Sequence, residues 1–240
     1  LPAFFSAGRW RLRSPFPPVT ALALLQLVSP ALPVGAFSYS EGLEVLIQSG
    51  DIGEEAQLQA WLEGELNNGM LRLEAAALPH LRAELSNWRA GEAAAQRRLI
   101  DLDGWLSATR EAAEVRAQQR QMGQSLLLLL ADMGHPLPER IALSWPAAWA
   151  SASLVLNVTV PEMVKGYLYG WVANQLSAAV RLLPLGPTRA QVQQQRLLPL
   201  IAEQAVLLQS SDPRSLWSGG VGAALAQLTH AELYSRLFRS

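Results

Sequence analysis

The sequence predicts an all-α protein, a single-domain helical bundle of roughly ten helices. Apolar residues recur every three or four positions through most of the 240 residues, which is the period of an amphipathic helix. Groups of proline and glycine separate these periodic segments, and alternating β-branched residues occur only in the brief run 154–160. Half of the residues are hydrophobic, which suffices for a substantial core. We therefore assign residues 20–240 to one helical domain and expect residues 1–19 to be a disordered leader.

The first half of the predicted domain contains four periodic segments. Residues 54–69 carry leucine and tryptophan at spacings of three and four, which places these side chains on one buried stripe. Residues 75–85 repeat the pattern, but Pro79 should break or kink a helix there. A short Ala-rich helix is expected within 87–104. Residues 109–133 contain no proline and form the longest uninterrupted helix candidate.

A long uncharged stretch follows, because no charged residue occurs between Arg140 and Glu162. Its length is close to that of a membrane-spanning helix. Pro146 and several Ser, Asn and Thr residues interrupt it, so we expect a buried, broken pair of helices. A membrane-associated helical protein is the alternative interpretation of this stretch.

The next helix has a clear start signal. Thr159 and Glu162 have the spacing of a capping box, which predicts a helix from there to Leu183. Its apolar residues cover more than one stripe, as is typical of a helix surrounded by others. Pro184 and Gly186 are structural residues that end it.

Two helices are predicted in the remainder of the chain. Thr188 and Gln191 have the spacing of a second capping box, for a helix 188–209 that Pro199 should kink. After a glycine-rich break, a short final helix should run from about Val221 to the end of the sequence.

Few residues offer the chemistry of an enzyme. The chain has no cysteine, and His80, His135 and His230 are too far apart in sequence to build a helical metal site. Lys165 is the only lysine, and no phosphate-binding glycine loop precedes it. The net charge of −1 lacks the basic excess of nucleic-acid-binding proteins. We predict no catalytic residue, no metal ligand, no directly bound cofactor and no nucleic-acid partner.

The segment 29–44 contains more special residues than a helix connection requires. Pro33 and Gly35 are structural residues that impose a non-helical path between two helices. Phe37 and Tyr39 follow directly. These two aromatic side chains either plug the core or are the anchors of a docking surface.

The segment 233–240 is the second unusual stretch. Chain ends are commonly frayed and polar, yet this one carries Leu237 and Phe238 flanked by Arg236 and Arg239. Such a segment either docks on its own domain or becomes ordered on another chain. In both cases the apolar side chains would fill pockets and the arginines would pair with carboxylates.

These two segments and two blocks between them carry a family resemblance. In the same order as in the urease accessory protein F (UreF) family, this chain has blocks that are similar to the family's at 33–44, 120–126, 178–186 and 234–240. The chain departs from the family pattern at Pro187 and at Ala231. We interpret 20–240 as a UreF-like domain.

The resemblance implies a function through partners. Members of this family are helical proteins that dimerise and bind accessory protein D, also named H. That complex recruits the GTPase accessory protein G and couples GTP hydrolysis to nickel transfer into apo-urease. For this chain it implies a cytoplasmic, non-catalytic scaffold for urease maturation, able to modulate the partner GTPase, with nickel and GTP carried by the partners and no role in a membrane.

The resemblance also implies that the two unusual segments bind the partners. An all-helical domain that binds a small molecule or has a regulatory role is the alternative function. The predicted partner-binding residues are Phe37, Ser38, Tyr39, Ser40, Gly42, Leu43, Glu44, His230, Tyr234, Ser235, Arg236, Leu237, Phe238, Arg239 and Ser240.

Overall fold

The computed structural model describes residues 20–240, which contain ten α-helices and no β-strand. The all-α prediction is confirmed, and the expected leader 1–19 lies outside the described residues. Three short 3-10 turns, Ala36–Ser38, Pro213–Ser215 and His230–Glu232, complete the secondary structure of this part of the chain. The helices are α1 (Thr20–Leu27), α2 (Leu43–Gln48), α3 (Glu55–Asn68), α4 (Leu71–Arg89), α5 (Ala93–Ala108), α6 (Ala113–Asp132), α7 (Trp145–Val155), α8 (Val160–Leu182), α9 (Pro187–Leu208) and α10 (Val221–Thr229).

The core is built around α4, α7 and α8. The uncharged stretch forms α7, which is buried from Pro146 to Ser153 and packs against α4 and α6. Trp149 donates a hydrogen bond from Nε1 to the Met163 carbonyl at 3.1 Å and lies edge-on to the Tyr167 ring. Within residues 20–240, no helix combines the length and the hydropathy that a membrane crossing requires.

Three local predictions can be compared directly with the helix boundaries. Thr159 caps α8 as expected, accepting a hydrogen bond from the Glu162 amide. The predicted break at Pro79 is wrong, because α4 continues through it. A proline inside a helix costs about 3 kcal/mol, and the fully buried leucines on either side of Pro79 offset that cost. The predicted capping box at Thr188 is also wrong, since Gly186 occupies the N-cap position of α9.

The last part of the chain packs on the first part. Helix α10 lies against α2 and α6. Gly42 has φ of +91°, and a Cβ atom at this position would lie 3.2 Å from the Ala226 Cβ and 3.1 Å from the Gln227 amide nitrogen. Glycine therefore permits both the turn into α2 and the close approach of α10. The final helix ends at Thr229, well before the end of the sequence.

Candidate partner-binding site

The two segments that the sequence singles out lie together. We call residues 33–44 the turn segment and residues 233–240 the tail segment. The Ser240 carbonyl oxygen accepts hydrogen bonds from the Ser40 amide at 2.7 Å and the Glu41 amide at 3.1 Å, and the Arg239 amide donates to the Ser38 carbonyl at 2.9 Å. The tail segment is thus fastened to its own chain by backbone hydrogen bonds.

The Glu44 carboxylate is the second attachment point of the tail segment. It is 1% exposed and accepts hydrogen bonds from the Leu237 amide at 2.6 Å and the Phe238 amide at 3.1 Å. Hydrogen bonds to a charged acceptor are stronger than those between neutral groups. A single buried carboxylate therefore fixes two successive residues of a segment that has no helix of its own.

His230 joins the tail segment to two helices. Its fully buried ring places Nε2 at 3.1 Å from Glu44 in α2 and Nδ1 at 3.0 Å from Glu114 in α6. Arg236 also pairs with Glu114, at 3.0 Å. Both ring nitrogens lie within hydrogen-bond distance of carboxylate oxygens on different helices. His230 therefore links α2 to α6, and Arg236 links α6 to the tail segment.

Phe238 is the buried apolar contact of the tail segment. Its side chain is 4% exposed, and the Arg181 guanidinium lies 4.4 Å from the ring centroid. Arg181 also donates a hydrogen bond to the Phe37 carbonyl at 3.0 Å. A cation stacked on an aromatic ring is attracted by the ring face. Arg181 therefore contacts the turn and tail segments at once.

Other apolar side chains of the same region point outward. Phe37 is 67% exposed, Tyr234 is fully exposed and Leu237 is about half exposed. Helix α10 adds the exposed residues Val221, Leu225 and Leu228, spaced at i, i+4 and i+7 along one face. Exposed large apolar side chains mark a protein–protein binding site when they lie together on a surface.

Known proteins match this chain over most of its length. The UreF family model matches residues 52–198. The urease accessory protein UreF of Microcystis aeruginosa is 42% identical over 224 residues, covering 91% of this chain and 97% of the relative. The protein of the same name from Trichormus variabilis is 40% identical over 227 residues, covering 91% and 95%. That from Prochlorococcus marinus subsp. pastoris is 36% identical over 221 residues, covering 89% and 96%.

The chain belongs to the UreF family. Its relatives are named as accessory proteins of urease rather than as urease itself. The turn and tail segments together form what we call the turn–tail site. This site and the bundle beneath it are therefore features of a UreF-family protein.

The structure divides the predicted partner-binding residues of this UreF-family chain into two groups. One group is buried and the other is exposed. Among the buried residues, Ser40, Glu44, Phe238 and Ser240 take part in hydrogen bonds between the turn and tail segments. Ser38 lies between the two groups in exposure. The buried group is Tyr39, Ser40, Gly42, Leu43, Glu44, His230, Phe238 and Ser240, and the exposed group is Phe37, Tyr234, Ser235, Arg236, Leu237 and Arg239.

The predicted structural residues lie at helix boundaries. Gly35 has φ of +75° and precedes the first 3-10 turn. Gly186 is the N-cap of α9, and Pro184 lies in the connection between α8 and α9. Pro33 lies exposed in the turn segment. Their positions agree with a role in directing the chain between helices.

Several residues that build the site in this UreF-family chain escaped the sequence reasoning. Glu41 has φ of +52°, and its buried carboxylate accepts hydrogen bonds from Gln118 at 2.7 Å and Trp171 at 3.0 Å. Gln118 also accepts a hydrogen bond from the Ser240 hydroxyl. Glu114 and Arg181 complete the set. Glu114, Gln118 and Arg181 look like ordinary polar helix residues in the sequence, although Arg181, like Glu41, falls within a block that resembles the family.

A buried ion pair lies in the bundle beneath the site. Arg110 donates from Nε to Glu74 at 2.8 Å, and the same carboxylate accepts from the Tyr167 hydroxyl at 2.8 Å and Gln119 at 2.9 Å. Burial raises the pKa of Glu74, and the neighbouring Arg110 charge opposes that shift. The pair links α4, α6 and α8 to the connection that precedes α6.

Proposed function

We propose that this chain is a non-catalytic scaffold of urease maturation in the cytoplasm. In this proposal it acts as a dimer that binds accessory protein D (H) and recruits the GTPase accessory protein G, for nickel delivery to apo-urease. The observation that carries the proposal is the turn–tail site, where a rigid, hydrogen-bonded frame presents exposed apolar and arginine side chains. The names of the relatives support the pathway.

The hydrogen bonds between the turn and tail segments affect how accessory protein D would bind. Ordering a flexible segment costs about 1 to 2 kcal/mol per residue in backbone entropy. The tail segment is already packed on its own chain, through Glu44 and the amides of the turn segment. A partner would therefore meet a preformed surface, and the exposed side chains of Phe37, Tyr234 and Leu237 would contribute most of the contact energy.

Nickel and GTP are assigned to the partners in this proposal. The chain has no thiolate ligand, and it carries three histidines in all. One of these, His230, already binds two carboxylates of its own chain. Imidazole nitrogen is a ligand that suits nickel, and this chain has few of them, so tight nickel binding fits the partners better. The contribution of this chain would be to position accessory protein G, and in doing so to alter its GTPase rate.

The proposal is tested with two exposed residues. The double substitution Tyr234→Ala and Leu237→Ala should weaken co-elution with accessory protein D at least tenfold, without changing the circular dichroism of the chain. The control is Leu128→Ala in α6, which removes a comparably exposed leucine away from the site. Binding of D that is equal for the double variant and the control would contradict the proposal.

One cavity favours the alternative of a small-molecule-binding domain. It has a volume of about 550 Å³ and lies between α1, the turn segment and α8, with Leu27, Trp149 and Leu176 among its apolar lining residues. Ligand sites are commonly concave, largely apolar and of this size. If this alternative holds, a hydrophobic molecule such as decanol raises the unfolding temperature of the isolated chain, and accessory protein D does not bind.

A further inference from the structure

The cavity beside the turn segment has aromatic walls. Four aromatic side chains line it, Trp145 and Trp149 from α7 and Tyr167 and Trp171 from α8. Trp149 and Tyr167 are buried, and Trp145 and Trp171 are partly buried. The face of an aromatic ring attracts cations such as alkylammonium groups. The walls of the cavity therefore suit an organic cation as well as an apolar molecule.

Two buried carboxylates border the same cavity. Glu41 from the turn segment and Glu74 from α4 line it, with exposures of 8% and 3%. The buried arginine of this region, Arg110, donates its side-chain hydrogen bonds to Glu74. Among residues 20–240, no basic side chain forms an ion pair with Glu41. Glu41 is therefore a buried acidic residue without a positive partner of its own.

The donors that reach the Glu41 carboxylate in the described part of the chain are neutral. Its Oε1 atom accepts a hydrogen bond from Gln118 at 2.7 Å, and its Oε2 atom accepts one from Trp171 at 3.0 Å. Both donors also line the cavity. An ionised carboxylate has further lone pairs beyond these two bonds, and burying it without a cation is unfavourable. A positively charged ligand in the cavity would supply the missing charge.

The backbone of Glu41 fixes the position of this carboxylate. Its φ of +52° lies in the left-handed region, which is unfavourable for a residue other than glycine and recurs at functional sites. The Glu41 amide donates to the Ser240 carbonyl at 3.1 Å, and the Glu41 carbonyl accepts from Gln227 at 3.2 Å. A binding group that is already held in place costs a ligand less ordering.

One exposed arginine also lines the cavity. Arg181 donates to the Phe37 carbonyl at 3.0 Å, and its guanidinium stacks on the Phe238 ring. Because Arg181 is exposed, water and salt screen its charge. It therefore does not replace a cation bound directly at Glu41.

We propose that this cavity is a binding site for an organic cation, with the charged group at Glu41 and an apolar body against the remaining walls. Leu27, Val34 and Leu176 contribute to the apolar lining. The volume of about 550 Å³ is in the range of small-molecule sites. A primary ammonium group supplies both a positive charge and N–H donors to the carboxylate. Charge thus distinguishes this ligand from one that binds by apolar burial alone.

The test compares 2-phenylethylammonium with 2-phenylethanol, which have nearly the same size and shape and differ in charge. Isothermal titration calorimetry on the full chain without accessory protein D measures both affinities, so the outcome is separate from that of the proposed function. The ammonium ion should bind at least about tenfold more tightly than the alcohol. Equal affinities, or no binding of the ammonium ion, would overturn the proposal.

Two variants assign the preference for the cation to one residue. Glu41→Gln should lower the affinity for the ammonium ion to that for the alcohol. Glu63→Gln removes the same charge from an exposed position of α3 and should bind both probes as the wild type does. A preference that persists in Glu41→Gln, or that disappears equally in Glu63→Gln, would contradict the assignment to the cavity.

A measurement on the wild-type chain covers the case in which Glu41→Gln folds poorly. Methionine methyl groups are isotope-labelled and followed by NMR as 2-phenylethylammonium is added. The signal of Met122, which lines the cavity, should shift, while that of Met133 at the end of α6 should stay unchanged. An unchanged Met122 signal at saturating ammonium would place the ligand elsewhere and overturn the proposal.

Discussion

Two buried glutamates have opposite tasks in this molecule. Glu74, in the helical core, pairs with Arg110 and Tyr167 and so connects secondary-structure elements that are already formed. Glu44, in the turn–tail site, binds His230 and two backbone amides of a segment without helical structure. The same side chain therefore serves global stability in the core and local order at the site.

The largest effect is expected in the core, where Arg110→Ala tests whether the ion pair supports the whole bundle. The substitution leaves the Glu74 carboxylate buried without its cation, which should destabilise the fold by about 3 to 5 kcal/mol. Urea unfolding followed by circular dichroism measures this loss. Arg98→Ala is the matched control, because that guanidinium pairs with Glu84 and Glu92 at the surface. Equal destabilisation by both variants would remove the distinction between core and surface ion pairs.

An intermediate effect on stability is expected for Glu44→Gln, which tests whether this carboxylate orders only the tail segment and not the whole fold. The substitution removes the carboxylate charge that faces His230 and weakens the hydrogen bonds from the backbone amides of the tail segment. The free energy that docks the tail segment should fall by about 1 to 3 kcal/mol. Trypsin should then cleave after Arg236 and Arg239 faster, while the helical content stays unchanged. The exposed Glu203→Gln serves as the control. A cooperative loss of helicity in Glu44→Gln would show that the site and the core are one unit.

The smallest effect on stability is expected for Arg236→Ala, which separates stability from partner binding. Because the ion pair of Arg236 with Glu114 is partly exposed, the free energy of unfolding should fall by less than about 1 kcal/mol. Because Arg236 lies among the exposed side chains of the site, the complex with accessory protein D that the proposed function predicts should nevertheless be lost on gel filtration. Arg214→Ala removes a similarly exposed pair with Asp101 and should leave that complex intact. Retained binding by Arg236→Ala would separate this residue from the partner surface.

The contrast between the core and the turn–tail site also explains which features could be predicted from the sequence. The fold class, the helix that Thr159 caps and the two unusual segments follow from short-range patterns of period, capping and composition. The continuation of α4 through Pro79 could not be predicted, because burial of its leucines outweighs the local preference of proline.

Of the turn–tail site, only its two segments could be predicted from the sequence, and not their contact. Sequence patterns selected the turn and tail segments, but nothing in either one indicates that they contact each other. Glu114 and Arg181 resemble solvated helix residues, and only the packing of α6 and α8 brings them to the tail segment. Contacts between distant residues leave no periodic signal in a single sequence.

The hydrogen bond between Ser40 and Ser240 joins residues that are 200 positions apart. During synthesis, the residues between these two positions must emerge from the ribosome before this contact can form, and domains generally fold as units once they have emerged. The turn–tail surface is therefore completed late, after the helices beneath it. A partner that recognised this surface would distinguish chains in which the two segments have come together from chains in which they have not.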